Sequence, residues 1–180
     1  MFRTISKEVF SYVKTIAFAI FAALIITNVV IVNAEVPTGS MENTIQKQDR
    51  LIAFRLAYLF ERPDRYDVIV FRSPDDITTL FVKRIIGLPG EEVEIIDGMV
   101  FIDGSDEPLI DAFTKEESSG NFGPYIVPPG MYFVLGDNRN DSSDSRFWTN
   151  RFVARDQILG KAVIRYYPLS NFSIFRNYRE

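Results

Sequence analysis

Residues 37–45, Pro-Thr-Gly-Ser-Met-Glu-Asn-Thr-Ile, separate two unlike parts of the chain. The twenty residues 15–34 before them carry no charged side chain, and short apolar or alternating runs follow from Arg50 onward. Proline, glycine, serine and asparagine are typical turn residues, so the stretch itself predicts a turn. Ser40 at its centre is either one more turn residue or a nucleophile. The stretch therefore indicates an apolar helix that is joined by a turn to a β-rich body.

The uncharged stretch 15–34 is long enough to cross a membrane as a helix. At about 1.5 Å per residue it would span about 30 Å, the thickness of the hydrocarbon core of a bilayer. A buried core helix is a poor alternative, because a helix that is apolar all round would be too large for the core of so small a domain. A cleaved signal peptide is a second alternative, but its apolar core usually has about 7–15 residues. We therefore predict a retained transmembrane anchor over 15–34, which makes membrane lipid a partner.

Basic residues are distributed unevenly around this stretch. Three of them precede it, and the next basic residue after it is Lys47. Segments rich in lysine and arginine stay on the cytoplasmic side of a membrane. We therefore expect a protein of the cell membrane with residues 1–14 in the cytoplasm and residues 35–180 outside. Ser40 would then lie close to the membrane surface.

The body of the chain contains short runs of strand-forming residues that are separated by turn signals. An Asp-Gly pair at 97–98 between two apolar runs is a strong signal for a two-residue hairpin. Residues 104–123 are polar and predict an inserted loop or small cap, whereas residues 168–180 fit either a last strand or a surface tail. The pattern predicts a mainly β fold, a folded antiparallel sheet system or partly closed barrel, with one N-terminal transmembrane helix. The predicted strands are 51–60, 67–71, 79–86, 92–96, 99–102, 131–135 and 161–167.

The chain contains no histidine and no cysteine. A Ser-His-Asp triad, a Cys-His pair, a disulfide and a zinc site with histidine or thiolate ligands are therefore excluded within it. A hydrolase built from this chain must use a lysine, a carboxylate or a group borrowed from another molecule as its general base, and we expect neither a metal nor a cofactor. Beyond residue 34 the net charge is −6, because 20 − 3 = 17 basic residues face 24 − 1 = 23 acidic ones. This acidic body argues against a nucleic-acid partner.

Lys83 is the candidate base. On a strand, Lys83 shares one face with Phe81 and Ile85. Such an apolar environment disfavours the ammonium form and can lower the pKa of a lysine by about 3–5 from about 10.4. A neutral Lys83 could then accept the proton of the Ser40 hydroxyl. The alternative is a lysine whose stem packs against the strand while its head group stays in water.

Thr38 is a candidate for stabilising negative charge near Ser40. It precedes Ser40 by two residues, so in a tight turn its hydroxyl could point to the carbonyl oxygen under attack. Together with the backbone N–H of Ser40 it could form an oxyanion hole. The alternative is a structural threonine in a turn.

The segment 136–146 is rich in Asn, Asp and Ser, whose side chains bond readily to backbone groups. By composition alone it predicts an elaborate turn. Within it, Asp144 and Arg146 are expected to form an ion pair, and Ser142 to hydrogen-bond the Lys83 amine and fix its rotamer. Arg84 is expected to extend the ion pair of Asp144 and Arg146. The residues expected to shape the site without touching the substrate are therefore Arg84, Ser142, Asp144 and Arg146.

Four motifs follow one another along the chain. They are Gly-Ser-Met at 39–41, Tyr-Asp-Val-Ile-Val-Phe at 66–71, Lys-Arg-Ile-Ile-Gly-Leu-Pro-Gly at 83–90, and Gly-Asp-Asn-Arg at 136–139 continuing through Ser142, Asp144, Ser145 and Arg146. In sequence and order they resemble the motifs of the type I signal peptidases, which are membrane serine proteases with a serine–lysine dyad. With the N-terminal span included, the resemblance covers nearly the whole chain, and the single span and short insert resemble the compact forms from Gram-positive-type bacteria. The resemblance implies Ser40 as nucleophile, Lys83 as general base, and Thr38 with the Ser40 amide as oxyanion hole.

The resemblance also implies a substrate, an exported precursor protein with an apolar leader and small residues at positions −3 and −1. Ala34 and Val36, just upstream of the nucleophile, are expected near the pockets for these small residues. An extended substrate would add a strand beside residues 34–38 and 80–83, so that Val82 also contacts it.

The chain departs from the family pattern at one place. It has Asn43-Thr44-Ile45 where the family usually has Pro-Thr-Leu. If the backbone of Asn43 has φ near −65°, Asn43→Pro should stabilise the fold by about 0.4–1 kcal/mol through the unfolded state.

Two other functions compete with this interpretation. A self-cleaving regulator would use the same serine–lysine chemistry, but it predicts a DNA-binding segment where this chain has an apolar span. A catalytically inactive, membrane-anchored β module that binds or assembles exported proteins would need neither Ser40 nor Lys83, so the presence of both argues against it.

Overall fold

The computed structural model describes residues 2–175, in which an N-terminal helix precedes a body of strands. Helix α1, Phe2–Ile25, continues into one π-helical segment, Ile26–Val30. The part Phe10–Val30 has a mean hydropathy of 2.1, and none of it is buried against the body. A core helix of a soluble domain would be buried, whereas an exposed apolar helix of 21 residues has the length and composition of a membrane span. The helix is therefore consistent with a single-pass membrane anchor.

The end of this helix differs from the predicted boundary. The uncharged stretch 15–34 is divided between helix and sheet, because residues 31–34 belong to the first strand, Ile31–Glu35. In that strand Val32 and Ala34 are buried and their neighbours are more exposed. Apolar residues suit a lipid-facing helix and a half-buried strand equally well, so composition alone did not mark the change.

The body consists of antiparallel strands in two sheets. The strands in residues 2–175 are β1 Ile31–Glu35, β2 Arg50–Phe54, β3 Val68–Arg72, β4 Leu80–Gly87, β5 Glu92–Ile96, β6 Met99–Ile102, β7 Phe122–Ile126, β8 Met131–Leu135, β9 Val153–Ala154, β10 Ile158–Tyr167 and β11 Ser173–Ile174. The larger sheet has the order β1-β2-β10-β3-β4-β8-β9, with β11 paired to β10, and the smaller sheet has the order β6-β5-β7. The prediction of a mainly β, antiparallel fold with one N-terminal apolar helix is confirmed.

Several strand boundaries agree with the sequence pattern, and others do not. The hairpin at 97–98 is confirmed, because Ile96 pairs with Met99 and the two turn residues have φ of +49° and +79°. The predicted strand 51–60 ends at Phe54 and is followed by a 3-10 helix, Arg55–Tyr58. Strands β1, β7 and β9 were not predicted, since each is short or lies in a polar or fully apolar run.

Two segments lie outside the regular sheets. Residues 104–121 are irregular, and an ion pair between Asp111 and Arg139 ties them to the body. After β10 the chain forms a 3-10 helix, Leu169–Asn171, and then the short strand β11. The predicted last strand or tail over 168–180 thus begins with structured residues, and 176–180 lie outside the described residues.

Strand β4 pairs with a neighbouring strand on each edge and packs against an apolar cluster on each face. It pairs with β3, where Ile69 lies opposite Lys83, and with β8, where Leu135 lies opposite Arg84. Ile85 packs into one apolar cluster with residues of β3 and β8, and the next residue enters a different cluster on the other side. This packing fixes the position of Lys83 on a rigid element.

Candidate active site

The turn after β1 is held from beneath by two apolar side chains. Met41 and Ile45 are fully buried in a cluster with residues of β2, β3 and β10. The backbone N–H of Glu42 donates to the Gly39 carbonyl at 2.9 Å, and that of Ile45 donates to the Met41 carbonyl at 2.7 Å. Ser40 therefore lies in a closed, anchored turn and is only 6% exposed.

Lys83 reaches this turn from β4. The Nζ of Lys83 donates a hydrogen bond to Ser40 Oγ, and Lys83 is only 2% exposed. The ring of Phe81, on the same face of the strand, has its centroid 5.4 Å from Nζ. Burial lowers the pKa of the Lys83 ammonium from 10.5 to about 8, although the Asp144 and Asp137 carboxylates oppose this change. The structure thus brings a serine hydroxyl together with an amine that can lose its proton near neutral pH.

Two hydrogen-bond donors lie beside the Ser40 hydroxyl. Thr38 Oγ1 is 3.3 Å from Ser40 Oγ. The backbone N–H of Ser40 makes no hydrogen bond with another residue in the described part of the chain. A hydroxyl and an unpaired N–H on one side of a nucleophile are suitable donors to an oxyanion.

Arg84 extends from the opposite face of β4 and binds Asp137 rather than the Asp144–Arg146 pair. Its Nε and one terminal nitrogen contact the two Asp137 oxygens at 2.8 and 2.6 Å, and the other terminal nitrogen donates to the Tyr66 carbonyl at 2.9 Å. The expected extension of the Asp144 ion pair by Arg84 is therefore wrong. Strand alternation is the reason, because it directs Arg84 to the face on which Asp137 lies.

Asp137 connects the segment 136–146 to the turn that carries Ser40. Its carboxylate accepts a hydrogen bond from the Thr44 hydroxyl, and its backbone carbonyl accepts one from Asn43 Nδ2 at 3.1 Å. The next residue adds a bond from the Asn138 N–H to the Ser40 carbonyl at 3.1 Å. No role for Asp137 was predicted from the sequence. The available signal was an acidic residue two positions after the predicted strand 131–135, in a chain that has an arginine next to the candidate base.

Asp144 and Arg146 form the expected ion pair. The arginine Nε and a terminal nitrogen contact the two carboxylate oxygens at 2.8 and 2.9 Å, and both side chains are buried. Asp144 also accepts the Gly136 N–H at 3.0 Å, and Arg146 donates to the Arg139 carbonyl at 2.7 Å. The pair therefore fixes the backbone of the segment directly behind the turn that carries Ser40.

Ser142 is placed near the site but does not make the expected contact. Its Oγ is buried and has no hydrogen-bond partner among the described residues, so the predicted bond to Lys83 is absent. The Lys83 amine donates to Ser40 instead. A Cβ at Gly136 would lie 2.2 Å from Ser142 Oγ and 2.4 Å from the Ser40 carbonyl oxygen. Glycine at 136 is therefore required for the close approach of the two segments.

A groove passes over Ser40. One half is a cleft of about 250 Å³ lined by the three expected substrate-binding residues Ala34, Val36 and Val82, together with Ser40 and Lys83. The other half has about 340 Å³ and is lined partly by residues of the 136–146 segment. Within residues 2–175, no group of three or more His, Cys, Asp or Glu side chains could hold a metal ion.

The backbone of Asn43 contradicts the expectation that proline suits this position. Its φ is +96°, a conformation that proline cannot adopt, and its side chain bonds to the Asp137 carbonyl. The predicted stabilisation by Asn43→Pro is therefore wrong.

We expect Asn43→Pro to destabilise the fold by about 2–3 kcal/mol. The backbone at position 43 would have to leave its positive φ, and the hydrogen bond from the side chain to the Asp137 carbonyl would be lost. Asn43→Gly is the matched control, since glycine keeps the positive φ and loses only the side-chain bond, worth about 1 kcal/mol. Urea denaturation of both variants measures the difference. Equal stability of Asn43→Pro and the wild type would contradict this turn geometry.

The chain is similar in sequence to known proteins over most of its length. The model of the family "Signal peptidase, peptidase S26" matches residues 9–167. The chain is 38% identical over 165 residues to signal peptidase I of Leptolyngbya laminosa, with 88% of this chain and 79% of that protein covered. It is 34% identical over 173 residues to signal peptidase I S of Bacillus subtilis strain 168, with 91% and 92% covered. It is also similar to the crystal structure of a signal peptidase I from Enterococcus faecalis V583, with 35% identity, coverage of 56% of this chain and 97% of that chain, and a TM-score of 0.48. The family match and the similarity to these two relatives show that the chain belongs to the type I signal peptidases, the serine endopeptidases of family S26.

Proposed function

We propose that this protein removes N-terminal signal peptides from exported precursors, with Ser40 as nucleophile and Lys83 as general base. The observation that carries the proposal is the buried hydrogen bond from Lys83 Nζ to Ser40 Oγ. Burial lowers the lysine pKa to about 8, so a useful fraction of the amine is neutral near neutral pH. A neutral amine in contact with a hydroxyl is the arrangement that a serine–lysine protease needs.

In the proposed reaction, Lys83 accepts the proton of Ser40 while Oγ attacks the scissile carbonyl carbon. The negative charge that develops on the carbonyl oxygen is stabilised by the Thr38 hydroxyl and the Ser40 N–H. The Lys83 ammonium then gives its proton to the leaving amine, the C–N bond breaks, and the leader remains as an ester on Ser40. Lys83 next activates a water molecule, which hydrolyses the ester and restores the free serine.

Four buried residues would position this machinery without contacting the substrate. The Asp144–Arg146 pair fixes the segment behind the nucleophile turn, and Arg84, through Asp137, ties that turn to the same segment. The Ser142 side chain occupies the space that a Cβ at Gly136 would need, which supports a role in setting how closely the segment 136–146 approaches Ser40.

The cleft lined by Ala34, Val36 and Val82 would receive the small residues at −1 and −3 of the precursor. Two unpaired strand edges border it among the described residues. β1 pairs only with β2, and the part of β4 before Arg84 pairs only with β3. An extended substrate could therefore hydrogen-bond to both edges, as in other cases of strand addition.

Cleavage of a leader peptide with small residues at −3 and −1, in detergent, tests the proposal. We expect the wild type to cut after the −1 residue and Ser40→Ala to be inactive. Ser119→Ala, which changes an exposed serine outside the groove, is the control and should keep full activity. Binding of the peptide without cleavage by the wild type would favour the inactive membrane-anchored module instead.

The uneven distribution of basic residues on the two sides of the helix supports an orientation with residues 1–14 in the cytoplasm and the body outside. We therefore expect protease added to spheroplasts to digest the body, whereas an epitope fused before residue 1 should be protected until the cells are lysed. If the body resists the protease in intact spheroplasts and the epitope is accessible, the protein has the opposite orientation.

A further inference from the structure

The segment 104–121, which we call the strap, contacts residues behind the dyad and not the groove. It contains no helix or strand, and none of its residues lines either half of the groove over Ser40. The Tyr66 hydroxyl donates to the Ile110 carbonyl of the strap at 2.8 Å. Two further side chains of the strap contact buried arginines, and these are Asp111 and Phe113.

Phe113 covers the guanidinium of Arg84. The guanidinium carbon lies 3.5 Å from the centroid of the Phe113 ring, so the cation packs on the face of the ring. Both residues border a cleft of about 250 Å³, and strand alternation directs Arg84 to the side of β4 opposite Lys83. A contact between a cation and an aromatic ring is stronger where water is excluded from it. The ring therefore protects one face of the buried Arg84–Asp137 pair from water in this cleft.

Asp111 supplies the negative charge that faces Arg139. Arg139 is only 5% exposed, and a terminal nitrogen of its guanidinium forms an ion pair with Asp111. Burial lowers the pKa of Arg139, and the Asp111 carboxylate is the charge that opposes this change most. The same nitrogen has no hydrogen-bond partner among the described residues, so the contact is one of charge and not a directed hydrogen bond. The charge of Asp111 therefore stabilises the buried guanidinium.

Each of these two arginines holds one connection to the turn that carries Ser40. Arg84 binds Asp137, which two side chains of that turn contact. Arg139 Nε donates to the Gly136 carbonyl at 3.0 Å. Gly136 lies so close to the turn that a Cβ there would be 2.4 Å from the Ser40 carbonyl oxygen. The strap thus contacts both arginines that fix the surroundings of the nucleophile.

We infer that Asp111 and Phe113 are positioning residues for the reaction at Ser40, which act by holding these two arginines. The inference rests on the proposed function. Because the strap does not border the groove, its loss should lower kcat and leave KM for a leader peptide unchanged. Phe113 also packs against the apolar cluster of the smaller sheet. A role in packing alone would give a less stable protein with an unchanged kcat.

Two substitutions at position 113 separate the ring from its packing. Phe113→Leu keeps an apolar side chain and removes the ring, whereas Phe113→Tyr keeps the ring and places its hydroxyl toward the cleft. We expect Phe113→Leu to lower kcat roughly ten-fold with unchanged KM, and Phe113→Tyr to keep most of the wild-type kcat. When Arg84→Met and Asp137→Leu are already present, adding Phe113→Leu should lower kcat no further, because the ring then has no cation to hold.

Two substitutions at position 111 test the second contact without disturbing an apolar cluster. Asp111→Asn removes the charge and should also lower kcat with unchanged KM, whereas Asp111→Glu should restore most of it. Glu116→Gln removes an exposed carboxylate of the same strap, and this control should keep full activity. Urea denaturation shows that each variant is folded under the conditions of the assay.

Three outcomes would overturn the inference while the wild type cuts the peptide. The first is a wild-type kcat in both Phe113→Leu and Asp111→Asn. The second is a raised KM with an unchanged kcat, which would assign the strap to substrate binding. The third is an equal fall in kcat caused by Phe113→Leu with and without the Arg84 guanidinium. If the proposed chemistry at Ser40 is wrong, the wild type itself does not cut the peptide, and a positioning role is then overturned with it.

Discussion

Lys83→Met is expected to abolish cleavage of a leader peptide and at the same time to stabilise the fold. Loss of a general base alone typically lowers the rate by about 10²–10⁴, and this chain has no histidine that could replace it. Burial of an amine whose pKa falls from 10.5 to about 8 destabilises the folded state by about 3 kcal/mol at neutral pH. Methionine has a similar length and no charge, so it should recover part of this free energy. Peptide cleavage and urea denaturation measure the two effects.

The pH dependence of this stabilisation has a definite sign. The folded-state pKa of Lys83 is below the unfolded value, so between about pH 8 and 10.5 the unfolded chain binds more protons than the folded one. The stability contributed by this group therefore rises with pH through that window, and its penalty is fully present below about pH 8. The stability advantage of Lys83→Met over the wild type should accordingly shrink as the pH rises from 8 to 10.5. A constant advantage across this window would contradict the lowered pKa.

The rate of the wild type provides a second check on the same lysine. Only the neutral amine can accept the Ser40 proton, so kcat/KM should rise with pH along an acid limb near pH 8. Lys83→Arg is the matched control for charge and length, and it should be inactive at every pH because a guanidinium does not lose its proton in proteins. A fully active Lys83→Met enzyme, or an acid limb near pH 4, would assign the base role to a carboxylate.

Features that depend on neighbours in sequence could be predicted, and the environment of Lys83 is the best example. Strand alternation is a local rule, so the sequence placed Phe81 and Lys83 on one face, and the structure has the same arrangement. The Asp97-Gly98 turn was predictable for a similar reason, since two residues with positive φ suffice to form the hairpin.

Features that depend on contacts between distant segments could not be predicted in this way. The partner of Arg84 is 53 residues away, and both Asp137 and Asp144 were compatible with the sequence. Asn43 combines a positive φ with a hydrogen bond from its side chain to the Asp137 carbonyl, and this contact joins residues 94 positions apart in the sequence. The boundary between helix and β1 was hidden because lipid and protein interior select the same apolar residues.

Asp137→Ala is expected to be the most destabilising of the substitutions considered, with a loss of about 3–5 kcal/mol in the free energy of unfolding. Arg84 and Asp137 are 4% and 1% exposed, so removal of the carboxylate leaves a buried guanidinium without its bidentate partner. The Thr44 hydroxyl loses its acceptor in the same step, which loosens the turn that carries Ser40. Urea denaturation gives the stability, and the peptide assay should show a fall in kcat.

Two further variants separate the ion pair from its position in the fold. Glu35→Gln removes one partner of the exposed Glu35–Arg50 pair, and it should change stability by less than about 1 kcal/mol because water screens the charges. Arg84→Met combined with Asp137→Leu replaces both buried charges by apolar side chains, so most of the lost stability should return. Cleavage should stay impaired in this double variant, because the bond from Thr44 to Asp137 is still missing. A loss in Asp137→Ala no larger than that in Glu35→Gln would show that the buried pair does not hold the two segments together.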